Sequence, residues 1–210
     1  MQGELARSGK RRRPGPYLYA QKAGQKGGKE KLSKKILVIS TSLRANSNSD
    51  MLAEAFVGGV REAGHEAEKV SLKDKSIGFC KGCLACQKTG NCVIQDDAGE
   101  IVEKMLHADV LVFATPIYYY EMSGQMKTKL DRANPLYTAD YAYRDVYLLA
   151  TAADEDEHAI DGTKKGLEGF IACFERARLA GCVFAGGVDA PGTVKEHGSL
   201  EKAREMGRQV

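Results

Sequence analysis

Four cysteines, Cys80, Cys83, Cys86 and Cys92, follow one another at the spacing C-x2-C-x2-C-x5-C. Two-residue gaps let neighbouring thiolates turn toward one centre, and a third Cys at the same gap with a more distant fourth supplies four corners to a compact metal centre. Gly78, Gly82 and Gly90 permit the tight turns that such wrapping needs. The spacing leaves several occupants open: an iron-sulfur cluster, a tetrahedral structural zinc, thiols with no metal, or a redox-sensing dithiol. Cys173 and Cys182 stand apart among apolar neighbours and are expected to be small buried hydrophobes. His65, His107, His158 and His197 show neither metal nor triad spacing, and surface or helix-end positions are expected for them.

A second group runs from Ser40 to Ser49, ten residues with five hydroxyls, two amides and the single Arg44. Hydroxyls and open backbone N–H groups before a helix make an anion site, and the helix dipole adds to it. The chain has neither GxxxxGK[ST] nor GxGxxG, which argues against a nucleoside triphosphate and a dinucleotide fingerprint and favours a monophosphate held by neutral donors. The plainer alternative is that Ser47 or Ser49 caps the helix and the rest is a polar turn. A third group, Thr115 to Gly124, carries Tyr118, Tyr119 and Tyr120 in succession, flat surfaces on which a planar ring can stack or which pack under their own loop. The acidic run Asp154 to Glu157 reads as a solvated loop.

The elements that must position these groups follow from periodicity. Ile36 to Ile39 reads as a strand and Ser49 to Ala63 as a helix with Met51, Leu52, Ala55, Phe56 and Val60 on one face. A strand is expected over 66–72, then the cysteine loop, then a helix opening at Asp96-Asp97 with Asp97 and Glu100 as a capping box. A third strand spans 110–115 and is ended by Pro116. A helix over 122–132, a strand over 146–150, a long helix over 163–179, a strand over 182–185 and a last helix over 200–206 complete the pattern. Five strands separated by helices imply a parallel sheet covered on both faces, with a ligand outside the carboxyl ends of the strands.

Composition narrows the classes further. Of 31 Lys+Arg and 28 Asp+Glu, eleven and two fall in residues 1–35, so that stretch carries +9 and the remainder −6, against +3 for the whole chain. Residues 1–33, with Arg11-Arg12-Arg13, Pro14-Gly15-Pro16 and few branched aliphatics, read as a disordered basic arm, a solvated extension in preference to a nucleic-acid contact. Apolar runs such as Val110 to Ala114 fall far short of the roughly 20 residues that span a bilayer, and no secretory signal is evident. A reducing, cytoplasmic setting is therefore expected, which favours thiols or metal ligands over disulfides.

From Lys35 onward the chain resembles the flavodoxin-fold NAD(P)H-dependent FMN reductases, and within them the iron-sulfur flavoprotein group. The resemblance is carried by Ser42-Leu43-Arg44-Ala45-Asn46-Ser47-Asn48-Ser49, by Thr115-Pro116-Ile117-Tyr118, by the segment from Gln125-Met126-Lys127 to Asp131-Arg132, and by the cysteine spacing. It implies a flavodoxin-like three-layer α/β sandwich over 34–210, with a five-stranded parallel sheet in the order 2-1-3-4-5. It implies FMN bound by Ser42, Arg44, Asn48 and Ser49 at the phosphate and by Thr115, Pro116, Ile117, Tyr118 and Tyr119 along the ribityl chain and ring, with Thr151-Ala152-Ala153 as a weaker third contact. It also implies a [4Fe–4S] cluster on Cys80, Cys83, Cys86 and Cys92, NAD(P)H or a ferredoxin-like donor, a small acceptor, and a homo-oligomer for which the Tyr137 to Tyr143 loop is a candidate contact. The chemistry belongs to the flavin, so no catalytic side chain is assigned. Thr41 and Ser47 stand where relatives often have Gly, and Leu43 where Pro is common; a positive φ at either of the first two would strain the loop.

Overall fold

The computed structural model describes residues 33–210, so the basic arm assigned to 1–33 lies outside the described residues apart from Ser33. The order of elements is β1 (Lys35–Ser40), α1 (Asn48–Glu62), β2 (Glu66–Ser71), α2 (Cys86–Thr89), α3 (Ala98–His107), β3 (Val110–Tyr118), β4 (Glu121–Met122), α4 (Gly124–Asp131), β5 (Asp145–Thr151), α5 (Asp161–Ile171), β6 (Arg178–Ala185) and α6 (Ser199–Arg208). Five parallel strands lie in the order β2-β1-β3-β5-β6, and the short β4 folds back antiparallel on the end of β3. The expected sheet and order are therefore present, with β4 as an addition.

Residues 36–39 of β1 and 110–114 of β3 are apolar without interruption because both faces of the sheet are covered. Leu37, Ile39, Leu111 and Phe113 face one layer with Ile101, Met105 and Met126. Ile36, Val38 and Val112 face the other, with Leu52, Phe56 and Ala203. On that second face α1 and α6 touch backbone to backbone: a Cβ on Gly59 would lie 1.9 Å from the Arg204 carbonyl oxygen, and one on Gly207 2.2 Å from that of Phe56. Among the described residues no helix is long and apolar enough to cross a membrane.

Several boundaries and placements differ from the pattern. β3 continues through Pro116, which pairs with Thr151. Ala114 accepts from the Thr41 amide on the β1 side, so Pro116, two residues on, turns its missing N–H to the same side, where β1 has already ended. The long helix expected over 163–179 is α5 and stops at Ile171, and β6 starts at Arg178 so that Arg178 pairs with Asp145 through the strand register and a 2.7 Å ion pair. That turn leaves Cys173 exposed and Cys182 half-buried, in place of the two core thiols expected; partial burial still pushes the Cys182 thiol up to about 11. Asp97 does not cap α3: its carboxylate accepts from the Ser76 amide at 2.6 Å, and Asp96 accepts from Ala98 instead. Tyr141 and Tyr143 are buried against Phe174, so the Tyr137 to Tyr143 loop offers only Tyr137 as an exposed ring.

Candidate functional site

The loop between β1 and α1 is held from within by its own hydroxyls. Ser47 caps α1, accepting from the Asp50 amide, and its Oγ lies 3.0 Å from Ser49 Oγ. Ser42 Oγ accepts from the Arg44 amide at 3.3 Å. The left-handed residue is Asn46, at φ 53°, not Thr41 or Ser47, and an Asn tolerates that conformation. The Gly positions of relatives are thus met here without positive φ, and Ser47 sits at φ −62°.

A buried hydroxyl chain ties this loop to the end of β3. Thr41 Oγ1 lies 3.1 Å from Ser123 Oγ, which lies 3.2 Å from Thr115 Oγ1 and accepts from the Met126 amide to cap α4. Thr41 is one of the hydroxyls of the Ser40 to Ser49 group, whereas Ser123 falls inside the helix expected over 122–132, and the structure makes it the cap of α4 instead. Asn48 is committed to the chain after β6. Its Nδ2 donates to the carbonyls of Val188 and Ala190 at 3.1 and 2.9 Å, and its Oδ1 accepts from the amides of Gly192 and Val194 at 2.8 and 3.2 Å.

These loops enclose a cleft of about 120 Å³ at the carboxyl ends of the strands, where the order turns from β1 to β3. Ser42, Arg44, Ser47 and Asn48 form one wall, and Pro116, Ile117 and Tyr118 another. Thr151, Ala152 and Ala153 complete it with the chain after β6. Ser49 and Thr115 are buried behind this surface, and Tyr119 stands outside it, 99% exposed. Arg44 is exposed, and among the described residues its guanidinium makes one hydrogen bond, to the Asp189 carbonyl at 3.2 Å.

Beside the cleft, Tyr118 pairs with Glu121 and leaves Tyr119 and Tyr120 as a two-residue hairpin turn with both φ positive, 51° and 62°. Such turns favour Asn-Gly, so two tyrosines there are a strained choice. Tyr120 donates from its hydroxyl to Asp154 at 2.9 Å. The Asp156 amide and this hydroxyl hold the Asp154 carboxyl below its usual range.

The cysteine loop fills the chain between β2 and α3 and is open by contrast. Gly82, Leu84 and Gly90 are left-handed; Cys80 and Cys83 are exposed, Cys92 is half-buried, and Cys86 is buried with Asn134 Nδ2 donating to its Sγ at 3.1 Å. Among the described residues no three His, Cys, Asp or Glu are gathered closely enough to hold a metal ion. The donor set suits a tetrathiolate centre in type and number, whereas its present arrangement does not.

The loop's ends are closed from below. The buried Arg132 donates to Asp96 at 2.7 and 2.8 Å, to the Gly78 carbonyl at 2.7 Å and to the Ile94 carbonyl at 3.2 Å. Despite burial, the Arg132 guanidinium and two backbone amides keep the Asp96 carboxyl below the usual range. One turn earlier, on α4, Lys129 is fully buried and its Nζ has no hydrogen-bond partner among the described residues; burial lowers it to about 7. Leu43, Phe79 and Gly124 line a shared cavity of about 330 Å³, so the cysteine loop abuts the hydroxyl-rich loop.

A parallel sheet of this order with a hydroxyl-lined cleft at its switch point defines a flavodoxin-like mononucleotide-binding architecture. Residues 34–166 match the NADPH-dependent FMN reductase family, and the chain belongs to that family. It is 38% identical over 102 residues to an iron-sulfur flavoprotein of Methanocaldococcus jannaschii, covering 49% of this chain and 53% of that one. An iron-sulfur flavoprotein of Archaeoglobus fulgidus is 39% identical over 110 residues, 52% of this chain and 54% of that protein. The chain thus spans about half the length of these relatives. Among solved structures, an NAD(P)H:quinone oxidoreductase from Methanothermobacter marburgensis superposes with a TM-score of 0.63 at 20% identity, over 84% of this chain and 96% of that one, which supports the fold.

Proposed function

We propose that the cleft binds FMN and that the protein is an oxidoreductase passing electrons from NAD(P)H, or from a ferredoxin-like donor, to a small acceptor. The observation that carries this reading is the hydroxyl-lined cleft between the α1 N-terminus and the end of β3, in a chain whose residues 34–166 match the FMN reductase family. Bound FMN would supply a ring that accepts hydride and passes electrons on singly or in pairs.

Ser42, Ser47 and the first amides of α1 are the neutral donors for the phosphate, Ser49 supports Ser47 from behind through their 3.0 Å hydroxyl contact, and Arg44 supplies the one positive charge. Asn48 serves the site by holding the 188–194 chain as its opposite wall. Pro116, Ile117 and Tyr118 follow the ribityl chain, Thr115 holds that segment from behind through Ser123, and Tyr118 and Tyr119 offer rings to the flavin. The exposed side chains of Phe79, Leu84 and Tyr137 support a homo-oligomer, which light scattering would read directly.

In the same reading Cys80, Cys83, Cys86 and Cys92 hold a [4Fe–4S] cluster, supported by their spacing and by the iron-sulfur flavoproteins among the relatives. The loop would have to close to gather them. The test is a titration of flavin-free protein with FMN, followed by steady-state oxidation of NADH and NADPH with an artificial acceptor. Saturable binding with turnover above that of free FMN is expected. Binding without turnover would leave an electron carrier, and no binding would refute the reading. Iron and sulfide analysis of anaerobically purified protein tests the cluster separately.

A further inference from the structure

Asp154 joins the three loops that meet at one side of the cleft. Its backbone carbonyl accepts from the Gly187 amide at 3.2 Å, in the chain after β6, and a Cβ on Gly186 would lie 2.8 Å from that same oxygen, so the two segments lie against each other. Its carboxylate accepts from the Asp156 amide at 3.0 Å within its own loop and from the Tyr120 hydroxyl at 2.9 Å. β3 and β5 are paired as far as Pro116 and Thr151; past that point, among the described residues, the Tyr120 hydroxyl supplies the hydrogen bond between the two segments. Residues 116–118 and 151–153, on either side of this bond, are walls of the cleft. The hairpin that carries Tyr120 needs such a tie. Tyr119 and Tyr120 both hold positive φ and Tyr120 is 61% exposed, so backbone preference opposes the observed turn and ring burial does little to hold it. On its other side the turn is seated on α5, where a Cβ on Gly162 would lie 2.3 Å from the Tyr120 carbonyl oxygen. The hydrogen bond to the Asp154 carboxylate also pushes the Tyr120 hydroxyl above its usual range, which keeps it a donor.

We propose that Asp154 is a positioning residue for the flavin: through the Tyr120 hydroxyl it latches the 118–121 hairpin to the loop after β5 and holds that wall of the cleft in its binding form before FMN enters. The inference rests on the FMN reading above. Neither side chain lines the cleft itself. A wall that is released for part of the time weakens binding in proportion to the fraction of molecules in which it is in place, so loss of the latch lowers affinity without removing a group that touches the ligand. The carboxylate acts here as the acceptor of a hydrogen bond and not as a charge, a role that the amide oxygen of Asp154→Asn preserves.

The test is a fluorescence titration of the full-length, flavin-free chain with FMN. Y120F and D154A are each expected to raise Kd about fivefold, and Y120F/D154A together no further, because both changes remove one and the same bond. D154N is expected to bind as the wild type does. That rescue excludes an effect of the charge, and the non-additivity excludes two separate structural losses. Wild-type affinity in Y120F or D154A, additive losses in the double variant, or a D154N as weak as D154A would each overturn the inference. Should D154A fail to fold, Y120F set against D154N and the wild type still decides it. A wild type that binds no FMN would instead bring down the FMN reading, and this inference with it.

Discussion

The cleft and the cysteine loop share one edge of the sheet, yet one is built in advance and the other is not. Around the cleft the polar side chains already engage one another: Thr41, Ser123 and Thr115 form a buried chain, and Asn48 makes bonds to four backbone groups. A ligand entering it meets fixed dipoles and orders little. In the cysteine loop the ligand-type atoms are mostly exposed and ungathered, and what is fixed is the base: Arg132 with Asp96 below, and Lys129 without a partner. On the proposed reading such a loop would be completed by its ligand, because metal binding and ordering of the loop would share one free energy. Rigidity is thus concentrated around the cleft, and slack around the four cysteines.

The contrast can be broken most forcefully at the base of the loop. Arg132→Met would leave Asp96 buried without its partner and release Gly78 and Ile94 together, at about 3–5 kcal/mol of stability. Urea unfolding should show the loss, and proteolysis should move into residues 79–93 while FMN affinity changes little. If the cleft fails equally, the two regions are not separable. Asn48→Ala attacks the other side. It strands amide and carbonyl groups of the 188–194 chain, and a loss of about 2–3 kcal/mol with FMN binding weakened about tenfold is expected. Metal uptake by the cysteines should be unchanged.

These two residues also mark where the sequence was legible and where it was not. The parallel sheet, the helices α1 and α3 and the hydroxyl-rich loop follow from local periodicity and composition, the strand order from the family resemblance, and the observed fold bears both out. The 163–179 helix and the burial of Cys173 failed because a local helical pattern carries no signal that Arg178 must reach Asp145 across the sheet. Asn48 was singled out as a polar group near a phosphate, but its partners lie some 140 residues away and decide what its side chain does. Arg132 belonged to a recognisable segment; its role under the cysteine loop depends on Asp96 and Gly78, which only the fold brings to it.

Lys129 gives the contrast a pH dependence. Burial lowers it to about 7 in the folded protein, whereas its ordinary value is 10.5. Between those values the unfolded chain holds a proton that the folded chain does not, so stability rises with pH across that window, by up to about 1.4 kcal/mol per pH unit. Below it both states are charged and this contribution is flat. Metal-free K129M should therefore exceed the wild type most at pH 6 and converge on it toward pH 10, measured by urea midpoints. A constant difference would mean that the group does not titrate within that window.

The smallest effect is the most discriminating for the cleft. Tyr119 occupies a left-handed turn position with its ring almost wholly in solvent, so the folded protein gains nothing evident from a tyrosine there. Tyr119→Asn should relieve about 1 kcal/mol of backbone strain and raise the melting temperature by about 2–4 °C. If the ring stacks on bound flavin, the same change must weaken FMN binding, so that stability and affinity move in opposite directions. That pairing would place Tyr119 with the cysteine loop, among the parts that await a ligand, even though it stands at the mouth of the preformed cleft. A variant that is more stable and binds FMN unchanged would remove Tyr119 from the flavin site and leave Tyr118 as the ring that faces the cleft.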